Sequence, residues 1–302
     1  MAINSIEYAK KYASELDKAL TQKAVTGFLA DNVLRNKFVG AKTVIIPDID
    51  FVGLVNYDRD NGFNRAAVTV ANTPFTMDMD RARSIQIDRE DLDETGIANL
   101  AGQVLGEYVR TEVVPEMDAY VLSKLAGVAD TKKHTVAWDE NSPYKVFTQM
   151  VRAIQDVAGY DEELVAFVDS TAMAAIDNSA EFTRSITVSD FKQGDVNIKV
   201  KSINGVTLIP VPSSRMKSAY DFIETAGSAT AGGFTPDVSA KDVHMLILPK
   251  KSASLVKKTE KMRVWTPDQN IDADAYKFDY RVYYDVFVKK SRLDTIYASF
   301  SA

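Results

Sequence analysis

Five carboxylates crowd one short stretch of the chain: Asp88, Glu90, Asp91, Asp93 and Glu94. Carboxylates at this density can hold magnesium and support hydrolysis. One reading is therefore a carboxylate-dependent metal hydrolase using Asp88, Asp91 and Asp93. A two-metal site would also need acidic groups converging from other elements. The simpler account is structural, because a long amphipathic pattern starts just after the cluster. Asp93 or Thr95 can cap its first turn, and acidic residues suit the positive end of a helix dipole. A second candidate, Asn56-x-Asp58-x-Asp60, has the alternation of a calcium loop. It fails at the sixth position, where Asn61 stands and Gly62 comes one late, and at the twelfth, which is Ala67 in place of a bidentate Glu. The chain has two histidines, His134 and His244, and neither lies in a pattern such as H-E-x-x-H. No G-x-S-x-G elbow, Walker A lysine or G-x-G-x-x-G loop occurs. Gly232-Gly233 is followed by neither a lysine nor a clear helix. Cysteine is absent, which removes disulfides, thiolate metal sites and cysteine nucleophiles. The residue types point to no catalytic centre, no cofactor and no metal site.

The element that follows the carboxylates organises the chain. Ile97, Leu100, Val104, Leu105, Tyr108, Val113, Met117, Tyr120, Val121 and Leu125 recur at helical spacing. A continuous helix there has about 30 residues and runs roughly 45 Å, well beyond the usual three to four turns. Pro115 lies inside it and predicts a kink near residues 111–115. Gly127 is the expected stop. Such a rod reads as a spine for other elements.

Ahead of the spine, residues 4–30 predict a helical arm with Glu7 and Lys11 at a favourable spacing. Val44-Ile45-Ile46 starts an extended segment that Pro47 is expected to break. Phe51–Tyr57 and Phe63–Val70 read as β-rich arms around a polar tip with Asn61-Gly62 as its turn, and Phe75–Ile87 as a third extended run. A long hairpin without its own core must pack on something else. Beyond the spine, Pro143–Ala158 is an amphipathic helix, Leu164–Val168 a buried strand, and Asp169, Ser170 or Thr171 caps a helix through Ile176. Val196–Val211 is a β-hairpin turning at Asn204-Gly205. Residues 225–237 read as a loop and Val243–Leu248 as a strand. Helices and strands alternating over 143–249 indicate a compact α/β unit. Lys277–Val288 alternates as a strand with one face aromatic and apolar. Ser291–Asp294 is a turn and Thr295–Phe300 the returning strand. The half-aromatic sheet needs a helix over it, and the spine is the candidate.

The chain has 302 residues, 46% hydrophobic and 26% charged, the composition of a globular protein. No apolar run approaches the ~20 residues needed to span a bilayer, so no membrane is expected, and no signal-peptide core follows the N-terminus. A net charge of −6 weighs against a dedicated nucleic-acid binder.

Several stretches resemble the major capsid protein of tailed bacteriophages with the Hong Kong 97-type fold. They are Asp80-Arg81-Ala82-Arg83, Ile87-Asp88, Asp91–Thr95 and Val113–Tyr120, then Thr266–Asn270, Asp272–Tyr276 and Lys277–Arg281. The resemblance spans about residues 42–300. It implies an α+β fold with an N-arm over 1–41, an E-loop hairpin over 42–87 and a P-domain spine helix over 88–138. An inserted α/β A-domain follows over 139–249 and a P-domain C-terminal β-sheet over 250–302. It implies a structural protein, not an enzyme, that self-assembles through hexamers and pentamers into an icosahedral shell. The shell encloses double-stranded DNA without sequence-specific binding, and is assembled in the host cytoplasm. The E-loop tip, Tyr57, Asp58, Arg59, Asp60, Asn61, Gly62 and Phe63, is the expected subunit interface. A portal is an expected partner. With no long segment ahead of the arm, a separate scaffolding protein is expected as well. Shells locked by a Lys–Asn isopeptide bond need an E-loop lysine, and no lysine lies between Lys42 and Lys124, so no such bond is expected. An encapsulin-like compartment shares the same implied fold.

Overall fold

The computed structural model describes residues 24–32, 37–39, 42–50, 52–57, 59, 63, 65, 69–90, 106–179, 186–193, 196–223 and 232–301. The first half of the chain gives β1 (Lys37–Val39), β2 (Thr43–Asp50), β3 (Thr69–Thr76), β4 (Met79–Asp88), α1 (Val114–Thr131) and β5 (Thr135–Ala137). Next come α2 (Pro143–Ala158), β6 (Leu164–Asp169), α3 (Ser170–Asn178), β7 (Ile186–Gln193), β8 (Val196–Ile203) and β9 (Val206–Val211). The last third adds β10 (Tyr220–Phe222), β11 (Phe234–Pro236), β12 (Val243–Pro249), β13 (Ala253–Trp265), β14 (Ala275–Val288) and β15 (Tyr297–Phe300).

These elements stack in four layers, as an α+β fold. A three-stranded antiparallel sheet, β13-β14-β4, lies on one side of α1. A seven-stranded sheet, β5-β15-β12-β6-β9-β8-β7, lies on the other. The face of β14 carrying Phe278, Tyr280, Val282, Tyr284 and Val286 joins Met117, Val121 and Leu125 of α1 in one core. Val165, Phe167, Leu246 and Leu248 enter that core from the larger sheet. The opposite face of the larger sheet, with Ala166, Val168, Leu208, Met245 and Ile247, is covered by α2 through Phe147, Met150 and Ile154. Every residue of β6 is buried, which is why its sequence is a continuous apolar run with no alternation. The spine thus covers the half-aromatic strand, as its pattern required.

The proline effect in the spine takes a specific form. Val109–Val113 is a π-turn immediately before α1, and Pro115 sits in the first turn of α1. A proline ring collides with the carbonyl four residues back, here that of Thr111. The wider turn relieves that collision. Gly127 does not stop the helix, which runs to Thr131. Lys133 adopts φ 59°, and the N–H groups of Lys133 and His134 bond the carbonyls of Asp130 and Ala129. That is a Schellman closure with a lysine in the left-handed position. The spine residues 91–105, with the caps expected at Asp93 or Thr95, lie outside the described residues, as does the arm over 1–23.

Three further expectations change. Pro47 does not break its strand but sits within β2 opposite Asn72 of β3. β1 reaches only Thr43–Ile45, so beyond it β2 is an edge, where a proline is tolerated. Residues 52–57 form no strand, and the hairpin is built from β2 and β3 instead. Finally, β15 does not return beside β14. It pairs antiparallel with β12 and parallel with β5, because a 3-10 turn over Lys290–Thr295 redirects the chain and buries Ile296, Ala298 and Phe300 in the main core.

Candidate functional site

Among the described residues, the connection between β2 and β3 carries five exposed large apolar side chains in one stretch. Leu54 and Phe63 are 106% and 88% exposed, and Val52, Val55 and Tyr57 are each more than half exposed. Tyr57 and Phe63 meet edge to face at 5.2 Å, so the outgoing and returning arms come together near the tip. Arg59 is exposed there too. Asp58, Asp60, Asn61 and Gly62, with the turn expected at Asn61-Gly62, lie outside the described residues. Contiguous apolar surface of this kind marks an interaction site. Val52, Leu54 and Val55 were legible only as part of an extended run, and nothing in their own alternation tells burial from exposure.

The base of the same hairpin is fixed. Val44, Phe75 and Met77 pack on Val256, Tyr283 and Phe287, on the face of the three-stranded sheet away from α1. The Phe75 and Phe287 rings lie 5.1 Å apart. The Tyr283 hydroxyl donates to the Met77 carbonyl at 3.0 Å, and the Asp78 N–H donates to Asp285 Oδ2 at 3.2 Å. The partly polar outer face of β14 therefore divides in two. Its apolar half receives the hairpin base, and its charged half stays open, with Arg281 paired to Asp80 and Trp265 Nε1 donating to Asp279.

Buried polar groups tie the spine to its neighbours. Asp118 is wholly buried and accepts from the N–H groups of Val25 and Thr26, both at 3.1 Å, and from Thr26 Oγ1 at 2.7 Å. Arg215 Nη1 lies 3.2 Å from Oδ2, the oxygen that also accepts from Val25. Burial pushes the Asp118 carboxyl above the ordinary carboxylate range, against those donors. Asp285, also buried, takes Lys124 Nζ at 2.6 Å and the Tyr120 hydroxyl at 2.9 Å. Burial, then the Asp285 charge, raises the Tyr120 hydroxyl far above a free tyrosine. Arg81 of β4 donates to Glu116 at 2.6 Å and to the carbonyls of Ile223 and Gly233, so it clasps the β10–β11 ribbon to the spine. These contacts position elements.

The other chemical candidates have structural work. Asp88 Oδ1 accepts from the Glu90 N–H at 2.9 Å, a helix-entry contact. Asp91, Asp93 and Glu94 lie outside the described residues. Among the described residues, no three His, Asp or Glu side chains gather as metal ligands. Asp169 caps α3 by accepting from the Ala172 N–H at 2.7 Å, and its second oxygen lies 3.2 Å from His244 Nδ1. His134 stacks on Tyr297 at 4.6 Å. Among the described residues, no helix is long and apolar enough to cross a membrane.

No protein-family model matches the chain, and no curated protein matches its sequence. Solved structures match it in fold. The capsid of Cyanophage P-SCSP1u aligns with a TM-score of 0.56 and 12% identity, over 88% of this chain and 85% of its own. The chain has the fold of a phage capsid protein. The mature capsid of bacteriophage PhiM1 gives 0.54 and 18%, over 87% and 82%. A virus-like particle from Pyrococcus furiosus gives 0.53 and 9%, over 97% and 99%. At these identities the likeness is one of fold. Within that capsid fold, the layered wall and the rooted, outward-reaching loop are the two parts that bear on use.

Proposed function

We propose that this chain is the major capsid subunit of a tailed phage, a structural protein whose copies assemble into a closed icosahedral shell around double-stranded DNA. The observation that carries the reading is the loop over 52–65, rooted on the sheet yet presenting Leu54, Tyr57 and Phe63 to solvent. Its own chain offers these side chains no cover among the described residues, so a second copy must. The tip Tyr57–Phe63 is the proposed subunit contact, with Asp58, Arg59, Asp60, Asn61 and Gly62 as its polar turn. Residues 42–87 then act as the E-loop, 88–138 with 250–302 as the wall, and 139–249 as the A-domain. No residue is assigned a catalytic role. Assembly in the host cytoplasm with a separate scaffolding protein and a portal belongs to the same proposal. Many weak contacts per subunit suffice to hold such a shell.

Deleting Asp58–Asn64 tests this. The variant should remain a folded monomer with nearly unchanged melting and should form no shells or capsomers by electron microscopy. A variant that unfolds instead would show the loop to be core and sink the reading.

A second reading rests on the Pyrococcus furiosus virus-like particle, which aligns along nearly the whole of both chains. On that reading the shell is a compartment that encloses a protein cargo. Nuclease-protected DNA in purified particles supports the phage capsid, and a co-purifying cargo protein without DNA supports the compartment.

A further inference from the structure

One corner of the molecule departs from the acidic balance of the whole. Four chain segments meet there: the end of α1, the turn from α2 to β6, the turn from β12 to β13, and the 3-10 turn after β14. Three ion pairs fix them together. Lys132 Nζ lies 3.2 Å from Asp294, Arg292 lies 2.7 Å from Glu162, and Lys250 Nζ lies 3.1 Å from Glu163. Ala253 pairs with Val288 in the sheet, which sets Lys251 and Lys290 just past the same end of the β13–β14 ladder.

These pairs take up three of the nearby acids and leave lysines over. Lys133, Lys251 and Lys290 are exposed and Lys289 is half-buried. None of the four has an acidic side chain within 4.0 Å among the described residues. Asp130 and Asp161 are the remaining carboxylates of these segments, so the corner keeps a positive excess in a chain of net charge −6. All four free cations are lysines, point charges suited to a backbone phosphate and not to the bidentate reading of a base. Lys133 is also held in place by the Schellman closure at its own backbone.

We propose that this corner faces the shell interior and contacts the phosphate backbone of the enclosed double-stranded DNA, weakly and without regard to sequence. The proposal rests on the container reading. Four lysines replace few counterions, while the acidic remainder repels the polyanion, so the contact orders DNA against the wall without trapping it.

Binding of random-sequence duplex DNA to the unassembled full chain, across a salt series, tests the corner. Four phosphate contacts give a slope of log K against log salt near −3.6, or about a 100-fold loss of affinity between 50 and 200 mM salt. Replacing Lys133, Lys251, Lys289 and Lys290 with alanine should remove most of that affinity and flatten the slope. Lys145→Ala with Lys241→Ala, both exposed elsewhere, should change neither. Unchanged melting of the quadruple variant excludes misfolding as the cause. A quadruple variant that binds DNA like the original overturns the proposal. So does one that binds DNA unchanged but no longer co-assembles with an acidic scaffolding partner, which would make the corner a protein contact. Electron microscopy of the original chain reports separately on the container reading: shells with no lysine effect sink the corner alone, and no assembly under any condition sinks the container.

Discussion

The wall and the loop use the same residue types to opposite ends. In the wall, Tyr284, Phe278, Met117 and Leu125 are buried within the chain. In the loop, Leu54, Val55, Tyr57 and Phe63 are equally apolar and face solvent. Burying a side chain such as Leu contributes roughly 1.5–3 kcal/mol. The wall gains that energy on folding, and on the proposed reading the loop gains it only when a second copy covers it. Val44, Phe75 and Met77 at the hairpin base pack against the sheet, and Val52, just past the end of the β2 ladder, is exposed. On the proposed reading, folding and association draw on separate residues.

That separation breaks if wall substitutions fail to cost folding stability. The largest expected effect is at Tyr284, fully buried against Tyr120 at 5.8 Å. Tyr284→Ala should lower the unfolding free energy by about 3–5 kcal/mol, read by denaturant titration. Its hydroxyl has no hydrogen-bond partner among the described residues, so Tyr284→Phe should be neutral or slightly stabilising. A strong loss in the phenylalanine variant would reveal a buried water or partner at that oxygen. Asp118 comes next. Asp118→Ala strands Arg215 and the Thr26 donors, a loss of about 3 kcal/mol or more by the logic of broken buried pairs. It should also raise amide exchange over residues 24–30, where the arm meets the spine.

How much of this contrast was legible follows from where each pattern gets its meaning. The periodicity of Pro143–Ala158 reports a face, and Phe147, Met150 and Ile154 are buried as it required. Val157, on the same face, is exposed because the helix ends beyond its cover. Asn204-Gly205 reads as a turn and adopts positive φ at both residues, 50° and 82°. β13 was not legible. Lys257, Lys258, Glu260 and Lys261 mask its alternation, and a register shift between Lys257 and Thr259 breaks it. The partner of β15 was not legible either, since a strand's neighbours are set by the turn before it and the core it enters. The turn expected at Asn61-Gly62 lies outside the described residues, and the exposed apolar arm beside it was not legible. Val52-Gly53-Leu54-Val55 would read the same if its own core covered it.

A smaller effect sharpens the contrast within the wall. Arg281 bonds both oxygens of Asp80, at 2.9 and 2.6 Å, and that contact holds the Asp80 carboxyl below its ordinary value. A lowered folded-state pKa gives stability that is present above the unfolded value, near 3.9, and is lost as pH falls through the folded one. The pair is largely exposed, so solvent screening keeps its contribution small. Arg281→Gln should lower stability slightly at neutral pH and not at all in strong acid. A difference persisting in acid would assign the effect to packing of the arginine stem. Asp118 has the opposite sign: burial raises its carboxyl, so its contribution favours the fold at low pH and falls away as pH climbs through its folded value.

The smallest effect on folding is expected in the loop, where the largest effect on association should be found. Leu54→Asp and Phe63→Asp change side chains that touch little of their own chain. Each should move the unfolding free energy by no more than about 0.5 kcal/mol. A carboxylate placed in an interface core meets an unpaired burial cost of several kcal/mol, so either substitution should abolish closed particles in sedimentation. Tyr57→Ala should act more mildly, because Phe63 still covers part of the same surface. If the aspartate variants assemble normally, the exposed apolar residues are not where copies meet, and the division of labour between wall and loop fails. If they unfold the monomer, the loop packs on its own chain and the boundary past the β2 ladder lies elsewhere. Unchanged melting with lost assembly is the one outcome that keeps both halves of the comparison.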